Sequence, residues 1–156
     1  MDYAIRMLNA NELQEALHLV WNVFLEFEAP EYSAGGINEF RAFIDPDTVR
    51  KKVENNEFRI WGCFIEKKVV GVIASRPPCH ISLLFVDKQF HRKGIAKALF
   101  NELISYYRSF TEYTEVTVHS SPYAVDTYHH MGFVDTTAEQ EINGIRFVPM
   151  KRSLEC

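Results

Sequence analysis

The stretch Val86-Asp-Lys-Gln-Phe-His-Arg-Lys-Gly-Ile-Ala-Lys-Ala-Leu99 joins an apolar segment to an amphipathic one through a basic turn. The apolar segment, residues 80–86, is typical of a buried strand, and the apolar residues after Gly94 recur at helical spacing. The first N–H groups of a helix have no partners within the helix and lie at the positive end of its dipole, where they bind anions. Gly94 and Ala96 allow an anion to approach closely. The sequence therefore predicts a phosphate-binding turn at the start of this helix.

Two common nucleotide-binding patterns are absent around this turn. The segment lacks the G-x-G-x-x-G spacing of dinucleotide-binding folds, and it lacks the lysine pattern of the Walker sequence. A phosphate-binding turn of another kind is therefore indicated. Its basic side chains are either ligands of further phosphates or solvated surface.

The rest of the chain alternates between patterns typical of strands and of helices. Residues 13–27 carry apolar side chains at positions i, i+3, i+4 and i+7, which predicts a helix, and Asn11 with Gln14 resembles a capping box at its start. Residues 29–36 have the composition of a loop. The other predicted helices cover residues 37–44, 46–53, 94–108 and 121–132, and the predicted strands cover residues 3–8, 58–66, 69–75, 80–86, 115–119, 133–136 and 144–150. We expect one domain over residues 1–156, of the α/β (α+β) class.

Composition excludes several classes of partner. The 156 residues are 47% apolar and 24% charged, which is ordinary for a globular protein, and the formal net charge is −4 at pH 7. The 17 Lys and Arg residues are scattered, so the clustered positive charge that binds a nucleic acid is missing. No apolar run approaches the ~18 residues that span a bilayer. We therefore expect no nucleic-acid partner, no membrane partner and a cytoplasmic location.

The cysteine and histidine residues predict no metal site. Cys63, Cys79 and Cys156 have no C-x-x-C spacing, so neither a disulfide framework nor a zinc site is indicated, and Cys156 is assigned no role. His129 and His130 are adjacent but lack further ligands at a spacing that suits a metal.

Two segments resemble the GNAT superfamily of acyl-CoA N-acyltransferases. LLFVDKQFHRKGIAKALFNELI, residues 83–104, contains the phosphate signature Q/R-x-x-G-x-G/A of that family at residues 91–96, with His91 in place of Gln or Arg. VTVHSSPYAVDTYHHMGF, residues 116–133, contains the pattern Y-x-x-x-G-F at residues 128–133, at the distance found in the family. The resemblance implies a mixed, mostly antiparallel, splayed sheet of about seven strands flanked by about four or five helices.

The resemblance also implies acetyl-coenzyme A (acetyl-CoA) as the co-substrate. In the family, the main chain of residues at positions 84–86 pairs with the pantetheine arm as a missing strand would, and an N–H group there polarises the thioester carbonyl. Residues 84–86 are otherwise plain core residues, and Ser121 is either a contact of the cofactor or a helix cap. The implied cofactor-binding residues are Leu84, Phe85, Val86, His91, Arg92, Lys93, Gly94, Ile95, Ala96, Lys97 and Ser121.

Two catalytic roles follow from the resemblance and from proton chemistry. Tyr128 matches the family tyrosine that donates a proton to the departing thiolate, and its alternative is a core tyrosine. The acceptor amine, with a pKa of about 10.4, arrives protonated, so a base or a water chain must remove a proton. His80 is the candidate base, because it matches a histidine in some arylalkylamine-acetylating members, and its alternative is a solvent-exposed residue at a strand end. Glu26 and Glu28 are the other candidates.

The sequence therefore predicts an N-acetyltransferase that moves an acetyl group from acetyl-CoA directly to a primary amine of a small molecule or peptide, in a ternary complex and without a metal. One alternative is a CoA-binding regulatory module with the same fold and no turnover. Another is a nucleotide-binding or protein-interaction domain that uses the turn for a different phosphate. The resemblance makes a homodimer a candidate assembly. Four aromatic residues either line the acceptor pocket or belong to the core, namely Trp21, Phe24, Phe27 and Tyr32.

Overall fold

The computed structural model of the protein describes residues 2–110 and 112–154, so that Cys156 lies outside the described residues. Its strands are β1 (Ala4–Met7), β2 (Arg59–Ile65), β3 (Lys68–Arg76), β4 (His80–Val86), β5 (Glu115–Ser120), β6 (Val134–Asp135), β7 (Gln140–Ile142) and β8 (Ile145–Ser153). Its α-helices are α1 (Leu13–Phe27), α2 (Ala34–Phe43), α3 (Pro46–Glu54), α4 (Ile95–Arg108) and α5 (Val125–His130). None of these described helices is long and apolar enough to cross a membrane.

One mixed, mostly antiparallel sheet runs through the fold in the order β1-β2-β3-β4-β5-β8-β6, and β7 pairs with β8. Within the described residues, β4 and β5 run parallel and the other pairs run antiparallel. The predicted fold class is confirmed, with eight strands in place of about seven. The additional strand is β7, whose three residues are all exposed and therefore carry no alternation of apolar and polar side chains.

The parallel strands β4 and β5 separate soon after they meet. Pairing between them covers His80 with Thr117 and Ile81 with Val118. The remaining residues of β4 are paired on one side only, with β3. A gap therefore opens in the middle of the sheet beside the C-terminal half of β4.

Main-chain groups of β4 face this gap. The N–H of Asp87 donates to the carbonyl of Val70 on β3 at 2.8 Å, and hydrogen bonds in an antiparallel ladder alternate between the two sides of a strand. Because Asp87 points toward β3, the main-chain groups of Val86 and Leu84 point away from β3. The edge of β4 thus presents main-chain donors and acceptors to the gap.

Helices cover both faces of the sheet and create two cores. α1 and its neighbours bury one face, and α4 buries the other, so that β3 is apolar along nearly its whole length. The core on the α1 face includes Leu13, Leu17, Val20, Phe24, Leu83 and Phe85. The core on the α4 face includes Trp61, Ile73, Val86, Leu99, Leu103 and Tyr107. Side chains of β4 are buried in both cores, Leu83 and Phe85 in one and Val86 in the other, which holds the free edge of the strand in place.

The first helix begins differently from the sequence prediction. A turn of 3-10 helix, Ala10–Glu12, precedes α1, and the carboxylate of Glu12 accepts a hydrogen bond from the N–H of Asn9 at 2.8 Å. The predicted cap at Asn11 and Gln14 is therefore wrong by two residues. Glu12 also receives two hydrogen bonds from Arg6, at 2.8 and 2.6 Å, which favour the earlier position.

The predicted loop at residues 29–36 is shorter than expected. α2 starts at Ala34 because the Oγ of Ser33 accepts a hydrogen bond from the N–H of Gly36 at 3.0 Å. The N–H of Ser33 donates to the carbonyl of Gly144 in the β7–β8 turn at 3.3 Å. A Cβ on Gly36 would clash with that same carbonyl. The β7–β8 hairpin is therefore docked on the start of α2, beside the segment that follows α1.

Candidate active site

A cavity of about 950 Å³ opens beside the free edge of β4. The end of β4, the start of α4, α5 and the end of α1 form its walls. Of the predicted cofactor-binding residues, all but two line it, namely Leu84, Phe85, Val86, His91, Arg92, Gly94, Ile95, Ala96 and Lys97. Lys93 and Ser121 stand outside the lining, Lys93 as an exposed side chain. The structure thus brings most of the predicted set into one place.

Further lining residues were not identified from the sequence. Predicted helix 121–132 is a 3-10 turn, Pro122–Ala124, followed by α5, and one face of this unit forms a wall of the cavity. Its lining residues are Tyr123, Ala124, Asp126, Thr127, Tyr128, His130 and Met131. Ala124, Thr127 and Met131 lie four, one and three positions from Tyr128, on or next to the same helical face, whereas Asp126 and His130 lie two positions away. Helical spacing from Tyr128 therefore identifies only part of this wall.

The aromatic residues considered for the acceptor pocket divide between cavity and core. Phe27 lines the cavity, where its ring contacts those of His91 (centroids 5.1 Å apart) and Tyr123 (5.3 Å). Phe24 is fully buried, and Tyr32 packs edge-on against it at 5.1 Å. Phe27 therefore lines the cavity and links the end of α1 to the 3-10 turn before α5, whereas Phe24 belongs to the core.

The turn before α4 has the backbone of an anion-binding site. Gly94 has a φ of 80°, in the left-handed region that favours glycine. The N–H of Ala98 donates to the carbonyl of Gly94 at 3.0 Å, so the N–H groups of Ile95, Ala96 and Lys97 precede the first bond of the helix and have no partner within it. A Cβ on Gly94 would meet no atom within 4 Å. Open space therefore lies beside Gly94.

His91 ties this turn to β4. Its Nε2 lies 2.7 Å from the carbonyl oxygen of Val86, and because a carbonyl only accepts, Nε2 carries the proton and donates. This bond uses the Val86 carbonyl, which otherwise faces the gap. A histidine in the family's Gln or Arg position thus holds the turn against the strand, while the main chain of Leu84 stays on the free edge.

Tyr128 is buried at the wall of the cavity. Its ring packs edge-on against Phe133, with centroids 5.3 Å apart. Burial raises the pKa of the Tyr128 hydroxyl above its ordinary value of 10.0, and the negative charge of Glu28 raises this pKa further. The hydroxyl therefore keeps its proton throughout the neutral pH range.

Glu28 lines the same cavity, immediately after the end of α1. Burial raises the pKa of its carboxyl from 4.5 to about 7; a hydrogen bond from the Ser121 hydroxyl opposes this rise and the charge of Glu31 adds to it. The Oγ of Ser121 also accepts from the N–H of Ala124 at 3.3 Å. Ser121 is therefore a cap, as one alternative predicted, and its hydroxyl also interacts with Glu28.

Glu26, the other carboxylate candidate, points elsewhere. It is exposed and forms an ion pair with Lys88 at 3.0 Å.

Among residues 2–110 and 112–154, no group of three or more His, Cys, Asp or Glu side chains is arranged to hold a metal ion.

His80 lies at the opposite end of β4 from the cavity. It is buried, in contrast to the exposed alternative, and its Nδ1 is 2.8 Å from the Oγ1 of Thr117. Its ring packs edge-on against His119 at 4.7 Å. Burial lowers the pKa of His80 to about 3, and the charges of Arg76 and His119 contribute. The structure does not bring His80 to the cavity with Tyr128, and its role as base stays a prediction.

The buried imidazole makes acid stability depend on His80. Between pH 6.5 and about 3 the unfolded chain binds a proton at His80 that the folded chain does not, so the contribution of His80 lowers the free energy of unfolding as pH falls through this window. We expect this contribution to reach about 2 kcal/mol by pH 5. Glu28, whose pKa is raised to about 7, changes stability in the opposite direction over the same range, so the contribution of His80 is measured as a difference between proteins. Urea unfolding at pH 7.5 and pH 5 is expected to give a change that differs by about 2 kcal/mol between wild type and His80→Gln, whereas His18→Gln, at an exposed site on α1, keeps the wild-type change.

Comparison with known proteins identifies the family. A sequence model described as an acetyltransferase (GNAT) domain matches residues 28–154. The chain belongs to this GNAT acetyltransferase family. An uncharacterised N-acetyltransferase of Escherichia coli strain K12, YafP, is 31% identical over 104 residues, which cover 67% of the chain and 64% of YafP. The chain therefore spans less than two thirds of the length of that relative.

Solved structures agree on the GNAT fold. A GCN5-related N-acetyltransferase from Rhodopseudomonas palustris superposes with a TM-score of 0.83 at 17% identity, covering 98% of this chain and 96% of its own. The PaiA N-acetyltransferase from Thermoplasma acidophilum, solved in complex with coenzyme A, has a TM-score of 0.79 at 17% identity, covering 98% and 99%. At these identities the likeness establishes the fold alone.

Proposed function

We propose that this GNAT protein transfers an acetyl group from acetyl-CoA to a primary amine of a small molecule or peptide, directly within a ternary complex. The observation that carries the proposal is one cavity that combines three features. These are the free edge of β4, the unpaired N–H groups at the start of α4, and two side chains able to exchange protons, Glu28 and Tyr128. Each feature matches one need of the reaction.

The residues of the cavity fit acetyl-CoA. A diphosphate accepts hydrogen bonds, and the helix start supplies N–H donors together with the positive end of a dipole. The amide groups of a pantetheine arm require main-chain partners, which Leu84 on the free edge of β4 supplies. When bound, acetyl-CoA supplies an activated acyl group as a thioester. Arg92 and Lys97, at the rim of the cavity, add positive charge for phosphates.

Glu28 is proposed as the base. A lysine-like ammonium has a pKa of about 10.4, so proton transfer to an ordinary carboxylate is strongly uphill. The rise in the pKa of Glu28 from 4.5 to about 7 reduces this cost by about 3 kcal/mol. At neutral pH a large fraction of Glu28 is still ionised and able to accept the proton. A general base is most effective when its pKa lies near the working pH, because it is then both basic enough and sufficiently ionised.

Tyr128 is proposed as the acid. Its raised pKa keeps the hydroxyl protonated at neutral pH, so a proton is available when negative charge develops on the departing sulfur. Tyr128 and Glu28 line the same cavity, which allows one residue to accept a proton and the other to donate one in a single complex.

A thiol-release assay tests the reaction. Acetyl-CoA is incubated with the protein and a panel of polyamines, aminoglycosides, amino acids and peptides, and free CoA is measured. Release above the buffer rate with at least one amine supports an acetyltransferase. Binding of acetyl-CoA by calorimetry without release from any amine favours the CoA-binding regulatory module. If ATP or NAD binds as tightly as CoA, the cavity is a site for a different phosphate.

Gly94 offers a direct test of the phosphate-binding turn. A Val side chain at residue 94 would project into the open space beside Gly94, at the part of the cavity that the start of α4 lines. We expect Gly94→Val to weaken acetyl-CoA binding at least 10-fold, equivalent to about 1.4 kcal/mol, in isothermal titration calorimetry.

The matched control separates this effect from backbone strain. Gly132 also has a positive φ, of 91°, but stands outside the cavity lining. Backbone strain is expected to lower the free energy of unfolding of both variants by about 1–2 kcal/mol, and Gly132→Val loses more, because a Cβ at residue 132 lies 3.1 Å from the Nε of Arg152. Only Gly94→Val is expected to weaken acetyl-CoA binding. Equal affinities in the two variants would remove Gly94 from the cofactor site.

A further inference from the structure

The turn that follows α1 brings two carboxylates together. The segment Ala29–Glu31 is a 3-10 helix, in which the N–H of Glu31 donates to the carbonyl of Glu28 at 3.0 Å. A 3-10 helix has three residues per turn, so side chains three positions apart lie on the same side. Pro30 stiffens this turn by restricting its own φ. Glu28 and Glu31 are therefore neighbours by construction of the backbone.

The carboxylate of Glu31 has no evident structural partner. Its Oε2 is shielded from solvent and, within the part of the chain that the structure describes, has no hydrogen-bond partner. Arg146 on β8 interacts with it electrostatically, but the guanidinium of Arg146 is already paired with Glu139 through two hydrogen bonds, at 2.9 and 3.2 Å. A shielded charge is screened less by salt and water than an exposed one. The charge of Glu31 is therefore screened less at Glu28 than the charge of a fully exposed carboxylate would be.

We propose that the shielded charge of Glu31 keeps Glu28 ready to accept a proton, which makes Glu31 a positioning residue for the reaction. This inference rests on the proposed function, in which Glu28 is the base. Glu28 lines the cavity, whereas Glu31 is not among the residues that line it. Glu31 thus acts on the reaction only through Glu28.

The electrostatic surroundings of Glu28 agree with this assignment. Burial is the main cause of its raised pKa, Ser121 opposes the rise by a hydrogen bond, and Glu31 reinforces it by charge. Glu31, Tyr32 and Tyr128 interact electrostatically with Glu28. Other titratable and charged groups line the same cavity as Glu28, namely Asp126 and His130 from α5, Lys88, His91 and Arg92 from the segment before α4, and Lys97 from α4. Of the two acidic side chains in this set, Glu31 and Asp126, Glu31 raises the pKa of Glu28.

The test is a titration of Glu28 itself. In protein labelled with ¹³C at the glutamate carboxyls, the Glu28 signal is assigned by its loss in Glu28→Gln and is followed by NMR from pH 4 to 9. Glu31→Gln, which keeps the shape of the side chain and removes its charge, is expected to lower the midpoint by about 0.5–1 pH unit. Glu31→Asp keeps the negative charge, so its Glu28 midpoint is expected to lie close to the wild-type midpoint. Glu39→Gln, an exposed site on α2, is the control and leaves the midpoint unchanged.

The acid limb of kcat/KM against pH provides the second readout. If Glu28 is the base, the limb moves to lower pH in Glu31→Gln by the same amount as the NMR midpoint. An unchanged NMR midpoint in Glu31→Gln overturns the role of Glu31. A midpoint that moves while the limb of kcat/KM stays fixed supports the effect of Glu31 on Glu28 and overturns the proposed role of Glu28 as base. The two failures are therefore distinguishable.

Discussion

The Glu28→Gln variant is expected to lose activity by about 100-fold or more in kcat/KM for the amine, which is the contribution typical of a general base. Glutamine keeps the size of the side chain and its hydrogen bond with Ser121, but it cannot accept a proton. The wild-type kcat/KM is expected to rise with pH through about 7, where Glu28 ionises. That limb is expected to disappear in the variant. Steady-state rates of thiol release between pH 5.5 and 9 measure both effects.

The choice of amine sharpens this test. At pH 7, half of an acceptor amine with a pKa near 7 is already neutral. The rate of acetylation of such an amine is therefore expected to fall much less in Glu28→Gln than the rate of acetylation of a lysine-like amine. Glu26→Gln and His80→Gln examine the competing assignments under the same conditions. A larger loss in either of them than in Glu28→Gln would transfer the role of base to that residue. Thermal unfolding of each variant establishes that it is folded.

The cofactor wall of the cavity follows from local sequence. The N–H groups at the start of a helix are unpaired in any protein, so a buried strand, a basic turn and Gly94 at a helix start are enough to predict an anion site. Tyr128 is implied by the resemblance to the GNAT family, through the pattern Y-x-x-x-G-F at residues 128–133. Nine of the eleven cofactor-binding residues that the family resemblance implied line the cavity.

The base depends on tertiary structure and does not follow from local sequence. His80 and Val86 are the two ends of one strand, and six residues of strand span about 20 Å, which places His80 far from a cavity at the other end. Burial raises the pKa of Glu28, and the interaction with Ser121 opposes the rise. Ser121 is far from residue 28 along the chain, so no periodicity around residue 28 predicts the contact between them. The start of α2 was missed for a different reason: its cap, Ser33, is local, but Gly35 and Gly36 favour a loop at this position.

Removal of the Tyr128 hydroxyl is expected to separate chemistry from binding. Tyr128→Phe keeps the ring that packs against Phe133 and deletes the proposed proton donor, so kcat is expected to fall about 100-fold. The dissociation constant of acetyl-CoA is expected to change by less than about 3-fold, because the free edge of β4 and the turn at Gly94 are untouched. Thiol-release kinetics and calorimetry provide the two numbers.

A matched phenylalanine substitution controls for the loss of a hydroxyl. Tyr113 packs edge-on against Tyr107, at 5.2 Å, and stands outside the cavity lining, so Tyr113→Phe is expected to retain the wild-type kcat. Because Tyr128 is buried, the free energy of unfolding of both variants is measured by urea titration. Wild-type turnover in Tyr128→Phe would exclude this residue as the acid. A loss of acetyl-CoA affinity as large as the loss of kcat would instead assign the hydroxyl to cofactor binding, since an interaction made only during the reaction leaves binding unchanged.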